Sequence, residues 1–176
     1  MKKVMSLCGL ALLVAGPTYA ADGRLTVNGQ VVSTTCEIGD FMKDLVVDLA
    51  PIGTNTLPAA GAEAGKKPFV IIVAGCSEQE RVGVAFEVAE GTSTEFGTLP
   101  NVAPIGDRAG NVDIALYNNG NGVDRRINLS DGSSVAQMVQ TNGGIASLVY
   151  AAGYYATGVA TAGAVKSVAT FSITYQ

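Results

Sequence analysis

Reactive side chains are scarce in this chain, and their absence narrows the chemistry first. Its 176 residues include no histidine and no tryptophan. Without an imidazole there is no Ser-His-Asp or Cys-His nucleophile, no histidine-ligated zinc or haem, and no switch titrating near neutral pH. Three cysteines remain, of which Cys8 falls in an apolar leader, leaving Cys36 and Cys76 as an even pair. Two thiolates without a CxxC spacing make a poor metal site, so the pair predicts a disulfide in an exported protein. Closing a loop of about 40 residues would stabilise the fold by roughly 4 kcal/mol in the chain-entropy model. No metal or cofactor is expected.

Other candidate groups carry weak signals. Glu78 and Glu80, or Glu87, Glu90 and Glu95, resemble carboxylates paired for acid–base work. Nothing nearby marks a cleft or a charge partner, and they read as solvated strand edges. Arg125-Arg126 offers an anion grip but sits beside Asp124 and a turn. Asn128-Leu129-Ser130 matches a glycosylation sequon, a pattern of little specificity. Tyr150, Tyr154 and Tyr155 have the chemistry to stack on a sugar ring, yet aromatics are ordinary strand residues. There is no P-loop, dinucleotide fingerprint or EF-hand, and no enzyme is expected.

The elements that position these residues are strands. Residues 1–20 stand apart: Lys2-Lys3, an apolar run from Val4 to Ala15, then Gly16-Pro17 and small residues at Thr18 and Ala20. That is the pattern of a signal peptide cleaved after Ala20, and its core is shorter than the ~20 residues of a membrane span. Removing two lysines makes the formal net charge of −4 more negative still. That sign argues against nucleic acid and anionic lipid. Leu25, Val27, Gly29 and Val31 then alternate with polar residues, the period of a half-buried strand. Further strands are expected at Leu45–Leu49, Pro68–Ala74, Val82–Val88, Val112–Tyr117, Ile145–Tyr155 and Val165–Tyr175, with a loop from Ile52 to Lys67. Asn118–Gly122 and Asp131-Gly132 are turn signals. Seven or eight strands without a long helix predict one all-β sandwich or barrel domain.

The specific signal lies at the two ends. Gly23 to Cys36 reads G-x-L-x-V-x-G-x-V-V-x-x-x-C. Gly163 stands fourteenth from the C-terminus, and Ala169, Phe171, Ile173 and Tyr175 alternate up to the penultimate position. With the cysteine spacing and Gly153–Gly158, these features resemble the pilin subunits of chaperone–usher fimbriae of the type 1 family. Two positions depart from the usual pattern: Gly153 where many relatives have Arg, and Ala162 where Pro is common.

The resemblance implies an incomplete immunoglobulin-like β-sandwich lacking its last strand, completed by a donor strand from another subunit. It implies a signal peptide over 1–20, a donor-strand extension over 21–33 and a pilin domain over 34–176. Gly23, Leu25, Val27, Gly29 and Val31 would be the donor residues. Gly163, Ala169, Phe171, Ile173 and Tyr175 would form the acceptor groove and the surface recognised by a chaperone. The implied partners are identical or related pilins, a periplasmic chaperone and an outer-membrane usher, with no nucleic acid and no small-molecule substrate. The implied role is a structural subunit, a major shaft pilin ahead of a minor adaptor, in an extracellular fimbrium that supports adhesion of a Gram-negative cell. The alternative from another class is a self-contained secreted carbohydrate-binding module.

Overall fold

Period-two patterning is realised as two antiparallel sheets. The structure, a computed structural model, describes residues 36–92, 94–120, 124–130 and 137–176. The leader, the expected strand at 24–31 with Gly23, Leu25, Val27, Gly29 and Val31, and the Asp131-Gly132 turn lie outside the described residues. The strands are β1 (Glu37–Ile38), β2 (Glu63–Ala74), β3 (Arg81–Val88), β4 (Val112–Asn118), β5 (Arg125–Arg126), β6 (Val139–Gln140), β7 (Ala146–Ala156) and β8 (Ala169–Tyr175). One sheet has the order β1-β2-β7-β4-β5 and the other β6-β3-β8. Every ladder is antiparallel. The helical residues described are two single 3-10 turns, Asp40–Met42 and Thr54–Thr56.

Alternate side chains of both sheets meet in one core. Ile71 and Val73 of β2, Val82, Val84 and Phe86 of β3, and Leu148 and Tyr150 of β7 are buried in it. Each such side chain contributes roughly 1.5–3 kcal/mol relative to exposure. Phe86 meets Tyr150 edge to face, with centroids 4.9 Å apart and planes at 87°, the arrangement that ring quadrupoles favour. Burial pushes the Tyr150 phenol up to about 12.

β4 is buried along its whole length because both of its faces are covered. Ile114 and Leu116 face the main core. Ala115 and Tyr117 join Ala151, Tyr155 and Phe96 on the outer side. The Lys66 ammonium lies 3.8 Å from the Tyr117 ring centroid, and the Arg126 guanidinium caps Tyr155 at 4.7 Å. Buried Asp113 accepts a hydrogen bond from the Thr98 hydroxyl at 2.7 Å.

Three expectations shift. The loop expected from Ile52 to Lys67 ends early, since β2 begins at Glu63. Its register slips between Ala64 and Lys67, where Gly65 adopts φ +63° and a Cβ would stand 2.8 Å from the Tyr154 ring. Leu45–Leu49 keeps the burial alternation of a strand but enters no ladder among the described residues. Val165–Val168 precedes β8 without belonging to it: the Lys166 carbonyl accepts from the Val102 N–H at 2.7 Å, and the Ser167 hydroxyl donates to the Pro100 carbonyl at 2.7 Å. A run of apolar residues fixes which face turns inward, whereas ladder membership depends on a partner elsewhere in the chain.

Candidate functional site at an unpaired strand edge

β8 pairs with β3 along one edge, from Val88↔Ala169 to Val82↔Tyr175. Its other edge faces no strand among the described residues. Backbone donors and acceptors on that side are open for pairing, a situation most folds avoid. Burial reports the same gap. Across the ladder, Val82, Val84 and Phe86 are at most 4% exposed, whereas Ala169, Phe171, Ile173 and Tyr175 are only half-buried. These four side chains point into the core, yet no neighbouring strand among the described residues covers their free flank.

The opposite wall is the extended segment Leu45–Leu49. Leu45, Val47 and Leu49 pack half-buried against the core, and Val46 is exposed. Two contacts to its backbone hold its end: the Lys67 ammonium donates to the Asp48 carbonyl at 2.7 Å, and the Tyr154 hydroxyl donates to the Ala50 carbonyl at 3.3 Å. Between this wall and β8 runs a groove of about 540 Å³, floored by Phe69, Ile71, Phe86 and Leu116. Asp48 and Lys166 are the charged residues on its lining. A second hollow is lined by Ile173 and Tyr175 together with Cys36, Ile38 and Lys43. An apolar trough with two open backbone edges is built to take up an extended peptide with alternating apolar side chains.

The structure brings Ala169, Phe171, Ile173 and Tyr175 onto one face of one strand. Cys36 and Cys76 are bonded, with Cα atoms 4.3 Å apart. The Cys36 N–H also donates to the Tyr175 hydroxyl oxygen at 2.9 Å. Gly163 lies away from the groove lining, in the loop before β8. There Ala109 N–H donates to the Ala164 carbonyl at 2.9 Å, and Ala164 N–H to the Asp107 carbonyl at 2.6 Å. A Cβ on Gly163 would stand 2.3 Å from the Ala109 nitrogen, inside fixed backbone. Gly163→Ala is therefore expected to lower stability by about 1–3 kcal/mol, read as a lower urea midpoint. An unchanged midpoint would mean that this loop has room to move.

The structure also places the other sequence candidates. Tyr150 is fully buried and Tyr155 lies under Arg126, so neither presents a ring face to a sugar. Glu78, Glu87, Glu90 and Glu95 are exposed and form no converging site. Among the described residues no cluster of three metal-ligating side chains occurs. Sequence reading misses the groove wall and its tethers. The alternation at Leu45–Leu49 is visible, but the contacts from Lys67 and Tyr154 connect residues far apart in the chain and leave no local pattern.

Comparison with known proteins agrees with this geometry. The family model described as fimbrial protein matches residues 25–176. The F17 fimbrial protein of Escherichia coli is 38% identical, over the whole of both chains. The major fimbrial subunit SMF-1 of Stenotrophomonas maltophilia (strain K279a) is 37% identical, over 94% of this chain and all of its own. The minor fimbrial subunit HifD of Haemophilus influenzae is 34% identical, over 95% of this chain and 80% of its own. Among solved structures, the P pilus rod subunit PapA superposes with a TM-score of 0.58 at 20% identity, over 80% of this chain and 99% of its own. A chaperone–usher pilus structure superposes with a TM-score of 0.60 at 21% identity, over 92% and 100%. These superpositions carry the fold, an immunoglobulin-like β-sandwich. A family match over nearly the whole length, joined to relatives alike from end to end, means that the chain belongs to the fimbrial protein family, whose members are structural subunits.

Proposed function

We propose that this fimbrial subunit polymerises by donor-strand exchange, as a major shaft subunit. The observation that carries the reading is the half-buried row Ala169, Phe171, Ile173 and Tyr175 beside an open edge. Residues 21–33 of one subunit lie in the groove of the next, with Leu25, Val27 and Val31 as apolar knobs. Gly23 and Gly29 share their face and let the backbone sit close. Donor-strand complementation in pilins is a recognised form of strand addition, in which backbone bonds supply affinity and alternate side chains supply register.

An open edge over an uncovered core is prone to aggregate. A periplasmic chaperone covers β8 after the leader has directed export, and an outer-membrane usher is the place of exchange. The product is an extracellular fimbrium on a Gram-negative cell. The shaft role is supported by the major subunit SMF-1, which aligns over its full length, whereas the minor subunit HifD has a fifth of its length outside the match.

The test uses a chain of residues 34–176 refolded with and without a synthetic peptide of residues 21–33. If the three knobs contribute roughly 1.5–3 kcal/mol each, the peptide should raise the Tm by more than about 10 °C. A domain that refolds to the same stability alone and ignores the peptide would rule the mechanism out.

A further inference from the structure

The core-facing row of β2 runs out into a lysine that hydrophobic patterning does not explain. Lys67 has the parity of Phe69, Ile71 and Val73, all of which pack in or against the core. The inner row of β7 ends in a similar way, with Tyr154 following Leu148, Tyr150 and Ala152. Both side chains carry a polar tip beyond the apolar row and bring it to one stretch of backbone. The Lys67 ammonium donates to the Asp48 carbonyl at 2.7 Å, and the Tyr154 hydroxyl donates to the Ala50 carbonyl at 3.3 Å. That stretch is the groove wall Leu45–Leu49, which pairs with no strand among the described residues.

The bonds already made show which backbone groups stay open. On β8, the Gln176 N–H donates to the Arg81 carbonyl at 3.0 Å, and the Val168 carbonyl accepts from the Ala89 N–H at 3.2 Å. Bonded and non-bonded pairs alternate along an antiparallel ladder. The even-numbered residues of β8 therefore face β3, and the N–H and C=O groups of Ala169, Phe171, Ile173 and Tyr175 face the free edge. The wall follows the same alternation. Asp48 and Ala50 stand two apart in an extended segment, so their carbonyls lie on one side, where both are occupied. The groups of Val47 and Leu49 lie on the other side, and neither residue makes a backbone hydrogen bond among the described residues.

We propose that Lys67 and Tyr154 are positioning residues for strand acceptance: by holding the Asp48 and Ala50 carbonyls, they turn the Val47 and Leu49 backbone towards the incoming strand. This rests on the reading that residues 21–33 of another copy enter this groove. A strand paired with β8 alone leaves its second edge to water. A wall held at one rotation gives that edge a second set of partners. Without the two contacts, Leu45–Leu49 keeps its half-buried side chains on the core, but the direction of its carbonyls is set less sharply.

The experiment uses residues 21–176, unaltered and as Lys67→Met, Tyr154→Phe and Lys67→Arg. Met keeps the stem and removes the ammonium, Phe removes only the hydroxyl, and Arg restores a donor. Fluorescent peptide 21–33 measures affinity, and amide hydrogen exchange with and without saturating peptide measures pairing. In the unaltered chain, peptide should protect Val47 and Leu49 together with Phe171 and Ile173, while Val46 and Asp48 stay unprotected. Loss of one net hydrogen bond corresponds to roughly a three- to tenfold change in an equilibrium. Lys67→Met and Tyr154→Phe should each weaken peptide binding by that factor. Protection should fall at Val47 and Leu49 and persist at Phe171 and Ile173, and Lys67→Arg should restore it. A merely structural role would lower protection on both edges alike, and that result, or unchanged affinity and protection, overturns the proposal. If the variants do not refold, the unaltered chain decides, since protection of Val46 and Asp48 in place of Val47 and Leu49 also overturns it. Protection of Phe171 and Ile173 alone keeps the donor-strand reading and removes this inference. No protection on either edge removes both.

Discussion

Cells carrying Phe171→Asp in this subunit are expected to display no filaments, while Thr170→Asp, one residue away, leaves them piliated. Phe171 is central in the half-buried row: it pairs with Phe86 in register, their ring centroids are 6.1 Å apart, and it lines the groove. Removing a large aromatic from such a site costs about 3–5 kcal/mol in lost contacts. A carboxylate in its place must either lose its hydration when a donor strand arrives or stay wet and keep the strand out. A loss of about 4 kcal/mol already weakens strand binding about a thousandfold. Thr170 projects from the other face of the same strand and is exposed. The pair therefore tests period and direction together, by electron microscopy with antibody labelling. Labelling along the whole shaft in the Thr170 strain would support the major-subunit role, and normal piliation in the Phe171 strain would overturn the groove assignment.

The second large effect concerns the disulfide. A Cys36→Ala/Cys76→Ala chain should lose about 4 kcal/mol of stability, the entropy of closing a 40-residue loop. Stability of ordinary domains is only about 5–15 kcal/mol, and this one leaves part of its core uncovered beside β8. In urea, the double variant without a donor peptide should show no native baseline, and one should return when peptide 21–33 is added. A midpoint within experimental error of the unaltered oxidised chain would mean that the loop is ordered without the bond.

Much of this architecture could be read from side-chain order. The rows Val82–Val88 and Ala169–Tyr175 announce their strands and their inward faces by alternation alone, and the cysteine pair announces the covalent link. Other parts obey longer-range terms. Glu63 to Lys67 has the composition of a loop, but Tyr154 and Tyr155 of β7 pair with Ala64 and Glu63 and draw it into the sheet. Leu45–Leu49 has the composition of a strand, yet it pairs with no strand among the described residues. No pattern in five residues can show that a neighbour is missing. Gly163 is conspicuous by its place in the terminal motif, but its reason for being glycine is the backbone of Arg108 and Ala109, which only the folded chain brings within reach.

The position of Cys36 beside Tyr175 also bears on polarity under the donor-strand proposal. Cys36, at which residues 21–33 would join the domain on that proposal, lies beside the C-terminal end of β8. Laid into its own groove, such an extension would run parallel to β8, against the antiparallel order of every ladder among the described strands and of the sandwich fold in general. Reaching the antiparallel direction would require the chain between Val31 and Cys36 to traverse the length of β8. Seven strand residues span roughly 20 Å, whereas five residue steps reach at most about 18 Å. A neighbour's extension has no such tether. Under the donor-strand proposal, so short a link would favour a heterologous head-to-tail contact, the kind that propagates as an open filament, over a closed monomer.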